Sequence, residues 1–293
     1  RDIGRSMSRI AKCGEGFKAG HGSSVAGLMT MSKTVRPKVV LCDLDGVVWL
    51  AHEPISGSVR AIASLREAGI RVVFVTNNSF STYDEQVTAL GSIGIPAEGD
   101  IVTSAMSAAT AIKSGWRVLV CGGRGLIEEV GRVTDRVVVA YNEPMATGKF
   151  DAVVVGFHRE FNYQVLTDAL TAVRGGAVLI GSNDDPTYPT PNGPIPGGGS
   201  ILAAIEKASG VTPTVTGKPY GPMAQLVREL CGNVSPEEMV MVGDRSDTDG
   251  GFARTLGARF AMVLSGVTET AEGVDAHIIE ADLSAVAQTL LKE

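Results

Sequence analysis

Short, unbroken apolar runs recur along this chain, and each one stops abruptly at a polar residue. Clear examples are residues 39–42, 72–75 and 240–242. Strands of a parallel sheet are buried on both faces, so they read as continuous apolar runs rather than as alternating patterns. Stretches of helical character separate these runs, which is the order of elements expected of a parallel α/β sheet. From Lys38 onward the sequence therefore predicts the α/β class.

Polar groups follow the runs where the chain leaves the predicted sheet, and a lysine lies in a later loop. The segments are Asp43-Leu44-Asp45-Gly46, Thr76-Asn77-Asn78, Thr216-Gly217-Lys218-Pro219, and Gly243-Asp244 with Asp247 and Asp249 just beyond. The carboxyl ends of parallel strands meet at one edge of the sheet, and ligands bind in the crevice there. Carboxylates, an amine and a hydroxyl at that edge are the groups needed to move a phosphoryl group with a divalent metal.

The first of these segments indicates a cation site. Asp43 and Asp45 are two residues apart, so at a strand end their side chains can project to the same side. Two carboxylates placed together repel unless a cation or a shared proton relieves them, and a hard cation such as Mg²⁺ prefers oxygen ligands. In isolation the segment reads equally well as a turn rich in Asp and Gly. The order and placement of all four segments together favour the metal site.

A second domain is indicated by the long interval between the second and third segments. Lys218 follows Thr76 by far more residues than one crossover connection needs, and the interval contains strand and helix patterns of its own. We therefore expect an inserted α/β domain over residues 115–211, with a catalytic core formed by residues 35–114 and 212–293. Both seams carry glycine or proline, as domain boundaries often do.

Composition narrows the class of partner. The formal net charge of -6 gives no basic footprint, so the sequence predicts no nucleic-acid partner. Cys42 and Cys121 lie in apolar runs, where a thiol behaves as a small hydrophobe, and the four cysteines show no zinc-ligand spacing. No apolar stretch approaches the ~20 residues that span a bilayer. We expect a cytoplasmic protein with no membrane partner.

Residues 1–34 differ from the rest of the chain. They are basic, poor in acidic residues and rich in Gly and Ser, without sustained periodicity. A transit peptide has this composition, so that interpretation stays open. The chain begins with Arg rather than Met, and Met29 and Met31 precede the first apolar run. The favoured interpretation is a disordered or non-native extension outside the fold.

The four segments, taken in order, resemble the motifs of the haloacid-dehalogenase-like superfamily of phosphotransferases. Thr-Asn-Asn and Gly-Lys-Pro are similar to the branch of p-nitrophenyl-phosphatase, phosphoglycolate, pyridoxal-phosphate, glycerol-3-phosphate and nucleotide phosphatases. The resemblance covers residues 38–291 and includes residues 182–185 and 196–200 of the insert. It departs at Ser182, where the family usually has Thr, and at Gly250-Gly251, where a bulkier residue is usual. It implies a Rossmann-like parallel core with an inserted α/β cap.

The resemblance also implies a role for each residue. Asp43 attacks phosphorus and becomes an aspartyl phosphate, and Asp45 protonates the leaving alkoxide and then activates water. The implied phosphate-binding residues are Thr76, Asn77 and Lys218. The implied Mg²⁺ ligands are Asp43, the backbone carbonyl of Asp45, and Asp244, with Asp249 supporting them from behind. The implied readers of the leaving group, on the cap, are Asn183, Asp185 and Tyr188.

A carboxylate at Asp45 favours hydrolysis of the intermediate, so the resemblance implies a phosphatase of small phosphorylated metabolites. Two alternatives stay open: a phosphotransferase that uses another hydroxyl, and a phosphometabolite-binding protein without turnover. Caps of this kind often dimerise, so a homodimer through the cap is expected as well. The Gly122-Gly123-Arg124-Gly125 stretch invites a dinucleotide role, but it lies in the insert and we discount it. Trp49 and Trp116 are interpreted as packing residues.

Overall fold

The computed structural model describes residues 35–50, 52–142, 148–188, 190, 192–268 and 270–293. The predicted extension over residues 1–34 lies outside them. The strands, in chain order, are β1 Val39–Cys42, β2 Trp49–Leu50, β3 Glu53–Pro54, β4 Arg71–Thr76, β5 Ile101–Thr103, β6 Val118–Cys121, β7 Val137–Val139, β8 Ala152–Val155, β9 Val178–Gly181, β10 Thr187–Tyr188, β11 Ile195–Pro196, β12 Thr214–Val215, β13 Met239–Gly243, β14 Arg259–Val263 and β15 Ile278–Glu280.

Helices separate most of the strands, as the sequence predicts. In chain order they are α1 Ser58–Glu67, α2 Tyr83–Ser92, α3 Ser104–Ala109, α4 Arg124–Val133, α5 Tyr163–Arg174, α6 Gly198–Ser209, α7 Gly221–Cys231, α8 Gly251–Leu256 and α9 Leu283–Leu290. Local sequence sets their ends: the Thr82 hydroxyl accepts from the Glu85 backbone in a capping box, and Asn162 and Asp282 cap α5 and α9. Among the described residues, no helix has both the length and the apolar character needed to cross a bilayer.

The first sheet is fully parallel, with strand order β15-β14-β13-β1-β4-β5. Its central strand β1 is buried on both faces. Val40 packs on one face with Leu65 of α1, and Leu41 packs on the other with Val227 of α7. Burial of both faces explains the unbroken apolar runs and confirms the predicted α/β class.

The second sheet lies wholly within the interval between Thr76 and Lys218. Its order is β12-β9-β8-β6-β7, again parallel throughout. The strand β12 extends β9 at the sheet edge, so Thr214–Val215 continues this sheet, although the predicted seam places it in the segment 212–293. The division into core and cap stays a prediction, and its second boundary fits the sheet better near Thr216 than at residue 211.

Two short hairpins complete the fold around the edge of the first sheet. One pairs β2 with β3 directly after β1, and the other pairs β10 with β11 in the loop that precedes α6. Each strand has two residues, too few for an alternating pattern, so the sequence alone does not reveal them. The second hairpin carries Tyr188 towards the carboxyl edge of the first sheet, where the polar segments meet.

Candidate active site

The first and last polar segments leave neighbouring strands side by side. The register pairs Cys42 with Val242, and the Asp43 N–H donates to the Val242 carbonyl over 2.9 Å. Asp43 and Asp244 therefore emerge together from the centre of the sheet. Gly46 allows the turn after β1 to approach Asp244 closely. Its φ is 84°, and a Cβ there would lie 2.5 Å from Asp244 Oδ2.

Lys218 contributes a buried ammonium group to this site and is only 2% exposed. Its Nζ lies 2.7 Å from Asp43 Oδ1 and 2.7 Å from Asp249 Oδ1. Burial alone would lower the pKa of the amine, but Asp249 and Asp43 outweigh burial and raise that pKa above its ordinary value. The lysine therefore stays charged and holds two carboxylates in place.

Three buried carboxylates form a group that fits a divalent cation. Asp43, Asp244 and Asp249 each offer an oxygen, and these atoms all lie within 4.8 Å of one another. Burial, then the neighbouring carboxylates Asp249 and Asp43, raise the pKa of Asp244 to about 7. Burial likewise raises the pKa of Asp249 to about 6. Such an accumulation of hard oxygen donors suits Mg²⁺, which relieves their repulsion.

Asp249 is the most enclosed of the three. Its Oδ1 accepts from Lys218, and its Oδ2 accepts from the backbone N–H of Arg245 over 3.2 Å. A π-helical turn over Ser246–Gly250 brings it back to the strand end, with the Asp249 and Gly250 N–H groups both donating to the Arg245 carbonyl. Asp249 thus lies behind Asp43 and Asp244, as expected for a supporting carboxylate. Asp247, by contrast, is exposed and contacts only Arg245 among these groups.

The side chain of Asp45 stands apart from the carboxylate group. Its Oδ1 accepts a hydrogen bond from Trp49 Nε1 over 3.1 Å, and burial raises its pKa. It is not among the grouped carboxylates, and binding of the metal by its backbone carbonyl stays a prediction. Trp49, interpreted from sequence as a packing residue, is 1% exposed and also orients Asp45.

Thr76 and Asn77 continue β4 into the same crevice. Thr76 is buried, and its Oγ1 accepts from the Asn78 N–H over 3.0 Å. Asn77 Oδ1 accepts from the Lys218 N–H over 2.8 Å. Asn77 Nδ2 donates to the Lys218 carbonyl over 3.1 Å and to Asp185 Oδ2 over 3.0 Å. Both amide hydrogens of Asn77 are therefore used within the protein.

The insert contributes an aromatic wall to the cavity above these groups. Tyr188 stacks on Phe157 with ring centroids 5.1 Å apart and planes 6° apart, and Phe157 contacts Phe80 at 5.7 Å. Burial, then the charge of Asp45, raises the pKa of Tyr188 to about 12. All three rings and Arg245 line the cavity that contains Asp43 and Lys218. The sequence singles out Tyr188 alone of these four, because the other three belong to no recognisable spacing.

The other two residues predicted to read the leaving group bind the protein itself. Asn183 is buried, and its Nδ2 donates to the Asn77 carbonyl over 2.8 Å while its Oδ1 accepts from the Asp185 N–H. Asp185 accepts from Asn77 through Oδ2. Both also line the cavity, but their observed hydrogen bonds tie the insert to the loop after β4.

The glycine-rich turn of residues 122–125, which leads into α4, packs against the loop after β4. The Gly125 N–H donates to the Phe80 carbonyl over 2.8 Å, and a Cβ at Gly125 would lie 2.1 Å from the Ser81 carbonyl oxygen. Ser79 Oγ contacts Ser182 Oγ at 3.0 Å. The turn lies at the β6–β8 position where the strand order of the second sheet reverses, which is where such sheets bind ligands. Here Phe80 and Ser81 of the chain itself pack against this position.

Two family models match the chain. One, described as haloacid dehalogenase-like hydrolase, matches residues 40–133, and the other, described as HAD-hydrolase-like, matches residues 215–291. The first interval contains Asp43 and Thr76, and the second contains Lys218 and Asp244. The matched residues therefore include all four polar segments of the candidate site.

Individual relatives include phosphatases. A D-glycerol 3-phosphate phosphatase of Mycobacterium tuberculosis is 37% identical over 243 residues, which is 81% of this chain and 66% of that protein. Chronophin of Rattus norvegicus is 33% identical over 80% of this chain and 78% of its own length. A crystal structure of the Mycobacterium tuberculosis glycerol phosphate phosphatase in complex with magnesium is 34% identical, with a TM-score of 0.75, over 87% of this chain and 78% of that one.

Proposed function

The chain belongs to the haloacid dehalogenase-like hydrolase family and is a magnesium-dependent phosphoric monoester hydrolase, and we propose which of its residues carry out the reaction. The observation that carries the proposal is the buried ammonium of Lys218 between Asp43 and Asp249, at 2.7 Å from each. It holds a carboxylate oxygen of Asp43 at the carboxyl end of β1, on the wall of the cavity, where a phosphoryl group can reach it.

In our proposal Asp43 is the nucleophile. Its carboxylate attacks phosphorus and forms an aspartyl phosphate, while the bond to the leaving alkoxide breaks and the alkoxide takes a proton from Asp45. The now deprotonated Asp45 accepts a proton from water as that water attacks the aspartyl phosphate and releases inorganic phosphate. The raised pKa of Asp45 supports this double role, because it keeps a proton available closer to neutral pH.

The other polar residues hold the transferring group and the cation. Lys218 and the Thr76 hydroxyl bind phosphoryl oxygens, with the lysine acting as a point charge. Asp43, the Asp45 carbonyl and Asp244 would hold Mg²⁺, and Asp249 would support them through Lys218. When bound, the cation neutralises charge on the phosphoryl oxygens and on the three carboxylates. The raised pKa values of Asp244 and Asp249 support this arrangement, since burial and then the neighbouring carboxylates disfavour their charged forms, and a bound cation would offset both effects.

The substrates we propose are small phosphomonoesters such as glycerol phosphate, phosphoglycolate, pyridoxal phosphate, nucleotides or p-nitrophenyl phosphate. The wall of Tyr188, Phe157 and Phe80 supports a leaving group of modest size packed against aromatic rings. A cytoplasmic location is also proposed, supported by buried free thiols at Cys42, Cys121 and Cys231. We further propose a homodimer through the cap, supported by the edge position of β7 in the second sheet.

The test is phosphate release from p-nitrophenyl phosphate by the wild type and by Asp43→Asn, each with Mg²⁺ and with a chelator. We expect release only from the wild type with Mg²⁺, because the amide that replaces the carboxylate is no nucleophile. The Asp43→Asn protein should keep the wild-type circular dichroism spectrum, which shows that the fold is intact. Equal release by the two proteins would reject Asp43 as the nucleophile.

A further inference from the structure

The side-chain amide of Asn77 forms hydrogen bonds with the backbone of Lys218. Its Oδ1 accepts from the Lys218 N–H over 2.8 Å, and its Nδ2 donates to the Lys218 carbonyl over 3.1 Å. One amide group thus holds both backbone polar groups of the residue that carries the catalytic ammonium. Such a pair of bonds fixes the position and the direction of the lysine backbone more tightly than either bond alone.

The second hydrogen of that amide is held by the insert. Asn77 Nδ2 donates to Asp185 Oδ2 over 3.0 Å. The Lys218 N–H and carbonyl require the amide oxygen and nitrogen of Asn77 respectively, and the accepting carboxylate of Asp185 favours the same orientation. With the amide reversed, its nitrogen would face the Lys218 N–H, and its oxygen would face the Lys218 carbonyl. Asp185 therefore reinforces the one amide orientation that can bind Lys218.

The backbone of Asn77 is held as firmly as its side chain. Its carbonyl accepts from the Ser104 hydroxyl over 2.7 Å and from Asn183 Nδ2 over 2.8 Å. The first donor lies at the start of α3, and the second lies in the insert beside Asp185. Asn77 is consequently fixed by the core and by the insert together, and it can transmit that fixed position to the lysine.

We propose that Asn77 and Asp185 are positioning residues for Lys218, with Asp185 acting through the amide of Asn77. The inference rests on the proposed phosphatase function, and it replaces two roles expected from sequence. Asn77 acts on the phosphate through Lys218 rather than by its own amide hydrogens, and Asp185 serves every substrate rather than reading one leaving group. The insert thereby contributes to the chemical step and not only to specificity.

A competing role exists for Asp185, and the experiment must separate the two. Its Oδ1 is buried and has no hydrogen-bond partner among the described residues, and Asp185 lines the cavity. That oxygen could instead accept a hydroxyl of the substrate. Reading a substrate hydroxyl would make a substitution harmful only for substrates that carry one. Positioning of Lys218 makes the same substitution harmful to the same degree for all substrates.

The first experiment uses Asp185→Leu and Asp185→Asn on p-nitrophenyl phosphate and on glycerol 3-phosphate. We expect Asp185→Leu to lower kcat/KM about tenfold on both, the size of one lost hydrogen bond to a charged group. Asp185→Asn should recover most of the activity, because its amide oxygen can still accept from Asn77. A loss confined to glycerol 3-phosphate, or no loss at all, would overturn the proposal. Wild-type turnover of either substrate in the same assay tests the phosphatase function separately.

The second experiment is a double-mutant cycle on Asn77→Ala and Lys218→Met. The measured quantity is the affinity for inorganic phosphate in the presence of Mg²⁺, obtained by calorimetry, so that inactive variants remain informative. If Asn77 acts through the lysine, Asn77→Ala weakens phosphate binding about tenfold in the wild type and has little effect beside Lys218→Met. Losses that simply add would show that Asn77 contacts phosphate directly. If Lys218→Met does not fold, the comparison of Asp185→Leu with Asp185→Asn tests the proposal without the cycle.

Discussion

The indole Nε1 of Trp49 donates a hydrogen bond to Asp45 Oδ1 over 3.1 Å. The bond holds the carboxyl of the proposed acid and base at the wall of the cavity, apart from the carboxylates proposed to hold the cation. It also opposes the effect of burial, because a donor stabilises the charged carboxylate and so lowers its pKa. The side chain of Trp49 therefore orients Asp45 and limits the rise of its pKa that burial causes.

Replacing Trp49 by Phe should shift the pH dependence of catalysis. The ring keeps most of the buried volume, but the donor is lost, so the pKa of Asp45 rises further above its ordinary value. Hydrolysis of the aspartyl phosphate needs the deprotonated carboxylate, so the acidic limb of the kcat profile on p-nitrophenyl phosphate should move up by about one pH unit. Asp45→Asn, the matched control, should lower kcat by roughly 10²–10⁴. An unshifted limb in Trp49→Phe would contradict the role of the indole.

The metal-free protein should lose stability as pH rises. Burial raises the pKa of Asp244 to about 7 and that of Asp249 to about 6 in the folded state, from an ordinary value of 3.8. A carboxyl with a raised pKa binds its proton more tightly when folded, so its contribution to stability is fully present below about pH 4 and disappears as pH rises through about 7. Thermal melts of the chelated protein should therefore show a falling Tm over that window.

Mg²⁺ should reverse this trend, because the cation takes the place of the protons. The increase in Tm on adding Mg²⁺ should be small at about pH 5 and should grow towards about pH 8, where the carboxylates are free of protons. Asp244→Asn serves as the control, because it removes the ligand and the titrating group together. The same Mg²⁺-induced increase at every pH, or an increase that survives in Asp244→Asn, would exclude these carboxylates as the binding site.

Tyr188→Ala should weaken substrate binding more than metal binding. The substitution removes a ring stacked on Phe157 and opens the wall that faces the leaving group. We expect KM for p-nitrophenyl phosphate to rise about tenfold, the upper range for one aromatic contact, with the Mg²⁺ dependence unchanged. Tyr188→Phe keeps the ring and should stay close to the wild type. Unchanged kinetics in the Ala variant would remove Tyr188 from the substrate site.

Two glycines of α4 offer a matched pair for stability. A Cβ at Gly125 would lie 2.1 Å from the Ser81 carbonyl oxygen, whereas a Cβ at Gly131 meets nothing within 4 Å. We expect Gly125→Ala to cost ~1–3 kcal/mol, because backbone must move to admit the methyl group. Gly131→Ala should stabilise the helix by ~0.5–1 kcal/mol. Urea unfolding measures both, and changes of the same sign would show that the loop does not occupy this turn.

The sequence predicts that the proposed catalytic groups lie close together, because topology alone brings them to one edge of the sheet. Residues that follow adjacent parallel strands must meet at one edge, so Asp43, Thr76 and Asp244 could be placed beside one another without coordinates. The helices could be predicted too, since caps such as Thr82 lie at fixed offsets from the apolar positions.

The contacts of individual side chains could not be predicted in the same way. Asn77 follows a strand end just as a phosphate ligand would, and only the path of the loop shows that its amide reaches Lys218 instead. Phe157 and Arg245 enter the cavity from turns whose conformations no periodic pattern encodes. The strand β12 has two residues, and its place in the second sheet depends on pairing with β9 rather than on its own sequence.

Phe80 and Ser81 pack into the glycine-rich turn of residues 122–125. This contact limits which segments of the protein can be exchanged with those of a relative. Chimeras that join the core of one relative to the insert of another will work as exchangeable modules only if residues 79–81 travel with the insert. The set of residues that must be exchanged together is therefore larger than the inserted stretch of chain. It includes residues 79–81, which precede the inserted stretch but pack against it, so these positions and the glycines at 123 and 125 must change together or not at all.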